Sequence, residues 1–122
     1  MQKLTKAEEQ IMQVIWKVEK GFLKEIMEAL PEPKPKQSTV STIIRILKEK
    51  GFVDYHAFGK SFQYYPLVSK DAYAKQYFRR FLSQYFDGSM TQMLSFFHKE
   101  GDLSLQEMDS LMDELSNKPD HE

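Results

Sequence analysis

The sequence contains no cysteine, which excludes disulfides, thiolate metal sites and cysteine nucleophiles. No apolar run approaches the roughly 20 residues needed to cross a bilayer. The opening MQKLTKAEEQ has no signal-peptide core, so a cytoplasmic protein without membrane insertion is expected. Three histidines, His56, His98 and His121, are scattered along the chain, and no pair has the spacing of metal ligands on one helix. His98 with Glu100 and Asp102 is the one cluster a metal could use, and its simpler reading is a solvated helix end. A glycine-rich phosphate loop, a nucleophile elbow and a defensible Ser/His/Asp order are all missing. Acid pairs such as Asp113-Glu114 read as a solvated face. No metal or cofactor is therefore expected, and an enzyme is the weakest reading.

What is present is a chain of 122 residues, 41% hydrophobic, enough for one domain or a small domain with an appendage. The net charge of -1 argues against a generic polyanion binder, but the charge is unevenly placed. Residues 1–66 hold eleven Lys/Arg against eight Asp/Glu, and residues 67–122 hold six against ten. A basic front half can meet phosphates while an acidic back half stays away from them.

Thr5-Lys6-Ala7-Glu8 spells a capping box and opens a first helix to about Val18, with Ala7, Ile11, Val14, Ile15 and Val18 facing the core. Met12 and Trp16 fall on a second apolar flank, and Gly21 is read as the helix breaker. Phe22 to Leu30 reads as a short second helix with Phe22, Ile26, Met27 and Leu30 inward. Pro31, Pro33 and Pro35 forbid helix and favour an extended connector. A third helix then opens at Lys36, Gln37 or Ser38 and closes at Gly51. From Phe52 the period changes: FVDYHAF and SFQYYPL read as two strands joined by a turn over Ala57-Phe58-Gly59-Lys60. Pro66 limits the second strand to an edge or an end. Three helices and a hairpin in this order describe a winged helix-turn-helix over residues 1–68.

In the third helix, Val40, Ile43, Ile44 and Leu47 form a core-facing stripe. The opposite arc carries Ser38, Thr42, Arg45 and Glu49, flanked by Thr39 and Ser41. A solvated helix face is normally filled with strong helix formers such as Glu, Lys and Gln. Short hydroxyls with one fork-shaped cation instead suit a helix pressed against the edges of base pairs, though an accidental Ser/Thr-rich outer face has the same pattern.

Residues 69–122 have another character. Ser69 can cap a helix to about Phe86 in which Tyr73, Tyr77, Phe78, Phe81, Leu82, Tyr85 and Phe86 spread over roughly 220°. One packing surface cannot cover so wide an arc. A short helix MTQMLSFFHK follows, and Ser104-Leu105-Gln106-Glu107 is a second capping box. It opens a last helix with Leu105, Met108, Leu111, Met112 and Leu115 on one face. Three helices separated by glycines are too few residues for a core of their own. Burial against a second copy of the chain is expected; folding back over the front half in a monomer is the alternative.

With these elements placed, the chain resembles the penicillinase-repressor (BlaI/MecI/CopY) family of bacterial transcription factors. The resemblance is carried by Leu4-Thr5, Ala7-Glu8, Ile11-Met12, Trp16, Thr39-Val40, Thr42, Leu47, Lys50-Gly51-Phe52, Gln63-Tyr64-Tyr65-Pro66-Leu67-Val68 and Asp102-Leu103-Ser104. It implies a homodimeric repressor with a winged-helix head and a helical dimerisation tail on a pseudo-palindromic operator. It also implies a membrane sensor protease that answers β-lactams and triggers cleavage in the tail. Three departures stand out. Ser95-Phe96 stands where penicillinase-type members are cut between Asn and Phe, with one extra residue near Gly101. The cysteine-rich tail of the copper-responsive branch is missing. Ile46 precedes Leu47 where the family often has Arg, and the Arg is one residue earlier, at Arg45.

The expectation is therefore an operator-binding repressor whose third helix, about 37–50, enters the major groove by its N-terminus. Ser38, Thr39, Ser41, Thr42 and Arg45 would lie nearest the bases. Lys36, Gln37, His56 and Lys60 would contact the backbone. The competing class is a module in which the winged helix binds another protein and the aromatic tail caps that partner.

Overall fold

A computed structural model describes residues 2–117. Its elements run α1 (Lys6–Val18), β1 (Gly21–Phe22), α2 (Leu23–Ala29), α3 (Gln37–Glu49), β2 (Val53–Phe58), β3 (Ser61–Pro66), α4 (Lys70–Phe86), α5 (Met90–Lys99) and α6 (Leu105–Asn117). The chain is mainly helical with a small antiparallel sheet, as the sequence implies. A division into two compact units falls between Tyr77 and Phe78, inside α4.

The Thr5 capping box forms: the Glu8 amide donates to Thr5 Oγ1 at 3.2 Å and the Thr5 amide to Glu8 Oε1 at 2.9 Å. The core stripe of α1, however, is rotated relative to expectation. Ala7 is exposed, whereas Met12 is fully buried with Ile11 and Ile15. Glu8 takes an inward position instead, at 6% exposure, its Oε1 also accepting from Lys50 Nζ, from the end of α3, at 2.7 Å. Gly21 is not the breaker either. Glu19, at φ 69°, terminates α1, while Gly21 lies in β1, where an added Cβ would come within 3.2 Å of Val18 Cγ2. Its smallness permits close packing there.

Phe22 is extended and paired with Gln63, so α2 starts one residue later than expected. The Phe22 amide donates to Glu25 Oε1 at 2.8 Å. Lys34, in the proline connector, donates to the final carbonyls of α2, Met27 O at 2.9 Å and Glu28 O at 3.2 Å. Helix α3 opens at Gln37 with Lys36 as its cap residue. It buries Val40, Ile44 and Leu47 and leaves Ile43 half-buried. Its end is a Schellman motif: Phe52 N donates to Leu47 O at 2.9 Å and Gly51 N to Lys48 O at 3.0 Å, with Gly51 at φ 83°. That left-handed position favours glycine, and buried Phe52 and Leu47 supply the accompanying apolar contact.

The sheet has three strands in the order β1-β3-β2, one more than the hairpin read from sequence. Val53 pairs with Pro66 and Phe58 with Ser61, so the turn is only Gly59-Lys60, and Pro66 ends the central strand. Leu4, Ile11, Met12, Ile15, Ile26, Val40, Ile44, Leu47, Phe52, Val53 and Tyr73 belong to the head core.

In the second unit, Ser89 caps α5 by accepting from Gln92 N at 3.0 Å. The Ser104 box forms reciprocally with Glu107, at 2.9 and 3.0 Å. Leu82 and Leu94 are buried. Phe86 packs on Phe81, Phe96 and Phe97 with ring centroids 5.6 to 6.2 Å apart.

Candidate nucleic-acid interface

Packing of Val40, Ile44 and Leu47 against α1 and α2 turns the opposite arc of α3 to solvent. Lys36, Gln37, Ser38, Thr39, Ser41, Thr42, Arg45 and Glu49 are all exposed. Two of these side chains can be assigned a chemical role from their surroundings. Thr42 Oγ1 donates to Ser38 O at 3.0 Å, so its proton is spent within the helix and its lone pairs face outward as acceptors. Among the described residues Arg45 has neither a hydrogen bond nor an ion pair, leaving its five donors available.

Sequence reasoning missed how the wing frames this helix. Ser41, Arg45, Lys48, Tyr55, Phe62 and Tyr64 line a groove of about 460 Å³ between α3 and the hairpin. On the hairpin wall of this groove Tyr55 and Phe62 pack with ring centroids 4.2 Å apart and planes at 32°. Lys48 Nζ lies 4.0 Å from Asp54 Oδ1 and 5.6 Å from the Tyr55 ring centroid, so this cation is directed toward β2. Burial first, then the neighbouring Tyr55 phenol, raises the Tyr64 hydroxyl above its ordinary value and keeps it protonated. The signal was the period of two in SFQYY, which puts Phe62 and Tyr64 on one face.

His56 is exposed on β2 and stacks on Tyr65, centroids 4.7 Å apart and planes at 20°. Lys60 is exposed in the two-residue turn. Phe58, beside it, is 57% exposed and meets the Phe22 ring edge-on at 5.8 Å.

The apolar residues expected between two copies divide. Tyr73 is only 7% exposed and sits in the head core, so it has little surface left for a partner chain. Leu82 is equally buried within its own unit. Tyr77, Phe78, Tyr85, Leu105 and Leu111 are exposed, while Phe81, Phe86 and Met108 are half-buried. The side chains of Met112 and Leu115 lie outside the described residues, as does His121. Ser95 is half-buried and Phe96 exposed, both inside α5. His98 Nδ1 is 2.8 Å from Leu103 O, and the described residues contain no group of three or more acidic or histidine side chains able to hold a metal. No described helix is long and apolar enough to cross a membrane.

A helix with an open polar face, set beside a two-stranded wing, defines the class of winged-helix DNA-binding regulators. The chain belongs to the penicillinase repressor family, whose model matches residues 4–117. It is 28% identical to the methicillin resistance regulatory protein MecI of Staphylococcus aureus strain N315 over 116 residues, 94% of each chain. It is 27% identical to the penicillinase repressor of Bacillus licheniformis over 109 residues, 88% of this chain and 85% of that one. Among solved structures, the DNA-binding domain of the repressor BlaI matches with a TM-score of 0.52 at 28% identity, over 60% of this chain and 94% of the domain.

Proposed function

We propose that this chain represses transcription as a homodimer on a pseudo-palindromic operator, each head placing the first two turns of α3 in the major groove. The observation that carries the reading is the outward face of α3: small hydroxyls around an uncommitted Arg45, in a member of a repressor family. Arg45 is the residue for a bidentate contact to guanine O6 and N7. Ser38, Thr39 and Ser41 serve bases or phosphates, and Thr42 accepts, which suits an adenine or cytosine amino group. Lys36 and Gln37 meet the backbone at the helix entry, and Lys60 with His56 lets the wing hold a neighbouring phosphate.

The second copy is held through the second unit, where Tyr85 is 70% and Leu105 66% exposed. Large apolar side chains left this exposed suit burial against a second copy. Loss of the dimer leaves each head with one half-site and weak binding, which is induction. In this reading the regulated genes confer β-lactam resistance, as the names of its relatives suggest. A sensor protease cuts near Ser95-Phe96, which requires local unwinding because both residues are inside α5.

Footprinting on the DNA just upstream of its own gene tests binding, symmetry and half-site spacing together. A protected twofold-symmetric site with centres about one helical turn apart, or a multiple of it, is the expected result. Uniform weak protection of all duplexes at low salt would overturn the reading.

A further inference from the structure

The connector between α2 and α3 carries three prolines, Pro31, Pro33 and Pro35. Each ring fixes φ and removes an N–H donor, so the segment is stiff and has few hydrogen bonds to offer. Pro35 is half-buried, whereas Pro31, Glu32, Pro33 and Lys34 are exposed. The polar tie is Lys34, whose Nζ donates to Met27 O at 2.9 Å and to Glu28 O at 3.2 Å. Among the described residues, no other hydrogen bond joins residues 31–35 to the rest of the head. The last turn of α2 holds the exposed Glu28 and no basic residue. A cation arriving at its open carbonyls is therefore favoured by their partial negative charge as well.

At the other end of the connector, nothing local fixes the entry to α3. Lys36 is the cap residue and makes no side-chain cap bond, unlike Thr5 at α1 and Ser89 at α5. The first buried residue of α3 is Val40, and Lys36, Gln37, Ser38 and Thr39 ahead of it are all exposed. A stiff connector tethered at Lys34, two residues before the cap, thus governs how this first turn lies.

We propose that Lys34 is a positioning residue for DNA reading: it holds the first turn of α3 in place for its contacts and commits its own charge to α2, not to a phosphate. The proposal rests on the operator reading above. Lys36, in the same PEPKPK run, has no partner among the described residues and stays free for the DNA backbone.

The test titrates the full chain with the footprinted operator and with a random duplex of equal length, over a range of salt. Lys34→Met keeps the apolar stem and removes the donors. It should weaken operator binding by about threefold to tenfold, the cost of ordering a loosened turn, with random-duplex affinity and the salt slope unchanged. Lys34→Arg, which can donate to the same carbonyls, should bind the operator within about twofold of wild type. Lys36→Met, as the contrast, should weaken both duplexes and flatten the slope by about one. A Lys34→Met slope that flattens by about one, with equal loss on both duplexes, would make Lys34 a phosphate contact and overturn the proposal. So would a lowered urea midpoint with unchanged operator affinity, the mark of a merely structural role; in both cases the operator reading stands. Wild-type protein that shows no preference for the operator over the random duplex overturns both.

Discussion

Lys50→Met removes the ammonium that faces Glu8 while keeping most of the apolar stem. The Glu8 side chain is 8% exposed and that of Lys50 21%, so the carboxylate is left nearly dry with only the Thr5 amide, at 2.9 Å, to stabilise it. Removing one partner of a fully buried pair typically costs about 3 to 5 kcal/mol. Water access on the lysine side and the surviving amide bond reduce this here to about 2 kcal/mol at neutral pH. The loss has a pH signature. Burial by itself would raise the Glu8 carboxyl, but the hydrogen bonds from Lys50 and Thr5 and the lysine charge outweigh it and hold Glu8 below its ordinary 4.5. In the wild type, Glu8 ionisation therefore contributes stability that is fully present above 4.5 and is lost as pH falls through the lower folded value. In the variant desolvation dominates, the shift reverses, and ionising Glu8 becomes a cost. Urea unfolding at fixed protein concentration should show the two proteins separated by about 2 kcal/mol at pH 7 and by less at an acid pH below the folded value of Glu8. Glu8→Gln, which preserves both acceptor contacts, should lose only about 1 kcal/mol at pH 7. A Lys50→Met deficit that is the same at both pH values would refute the reasoning.

Arg45→Ala should weaken operator binding by about 1 to 3 kcal/mol and relax preference at one base position; an unchanged gel-shift titration on all base variants would remove Arg45 from the reading surface. Lys60→Ala should weaken every duplex alike and flatten the salt slope by about one, measured by repeating the titration over a range of salt. Tyr85→Glu with Leu105→Glu should sediment as a folded monomer and bind a single half-site as wild type does, whereas a retained dimer would place the interface elsewhere. Gly51→Ala forces an L side chain into φ 83° and should lower the urea unfolding free energy by about 1 kcal/mol.

Features governed by local rules were legible in the sequence. The Thr5 and Ser104 capping boxes, the stripe of α3 and the Gly51 stop each need only residues within one or two turns, and all four form. Where a tertiary partner decided the outcome, the sequence was silent. Ala7 and Glu8 are adjacent, about 100° apart on the helix, and the partner that meets the buried Glu8 besides Thr5 is Lys50, 42 positions away, which no local pattern announces. Strand β1 has two residues, too few for any period, and exists because β3 offers it an edge. Tyr73 had no local mark separating it from Tyr77 or Phe78, since aromatic residues occur all round that helix. In the candidate site, the residue types of the α3 face were readable and are exposed as expected. The bond from Thr42 to Ser38 and the turning of Lys48 toward the wing were not, because each depends on side-chain geometry.

These partnerships bear on why the proposed reading surface would end at Arg45. Helix α3 and its cap carry three cations beyond its midpoint, and the fold treats them differently. Lys50 is bound to Glu8 and holds the end of α3 to the start of α1. Lys48 is drawn toward Asp54 and Tyr55 and braces the helix against β2. Arg45 alone among them has no partner in the described residues. A cation already neutralised at a short distance gains less from a phosphate, since its local anion must be given up first. On α3 the basic character is thus smaller in effect than its count suggests, and what remains lies at the helix entry, at Lys36, and at Arg45. On the proposed reading, a helix with one uncommitted cation past its midpoint would draw its selectivity from direct contacts made by Arg45 and the hydroxyls, with general attraction to phosphate coming from elsewhere on the head.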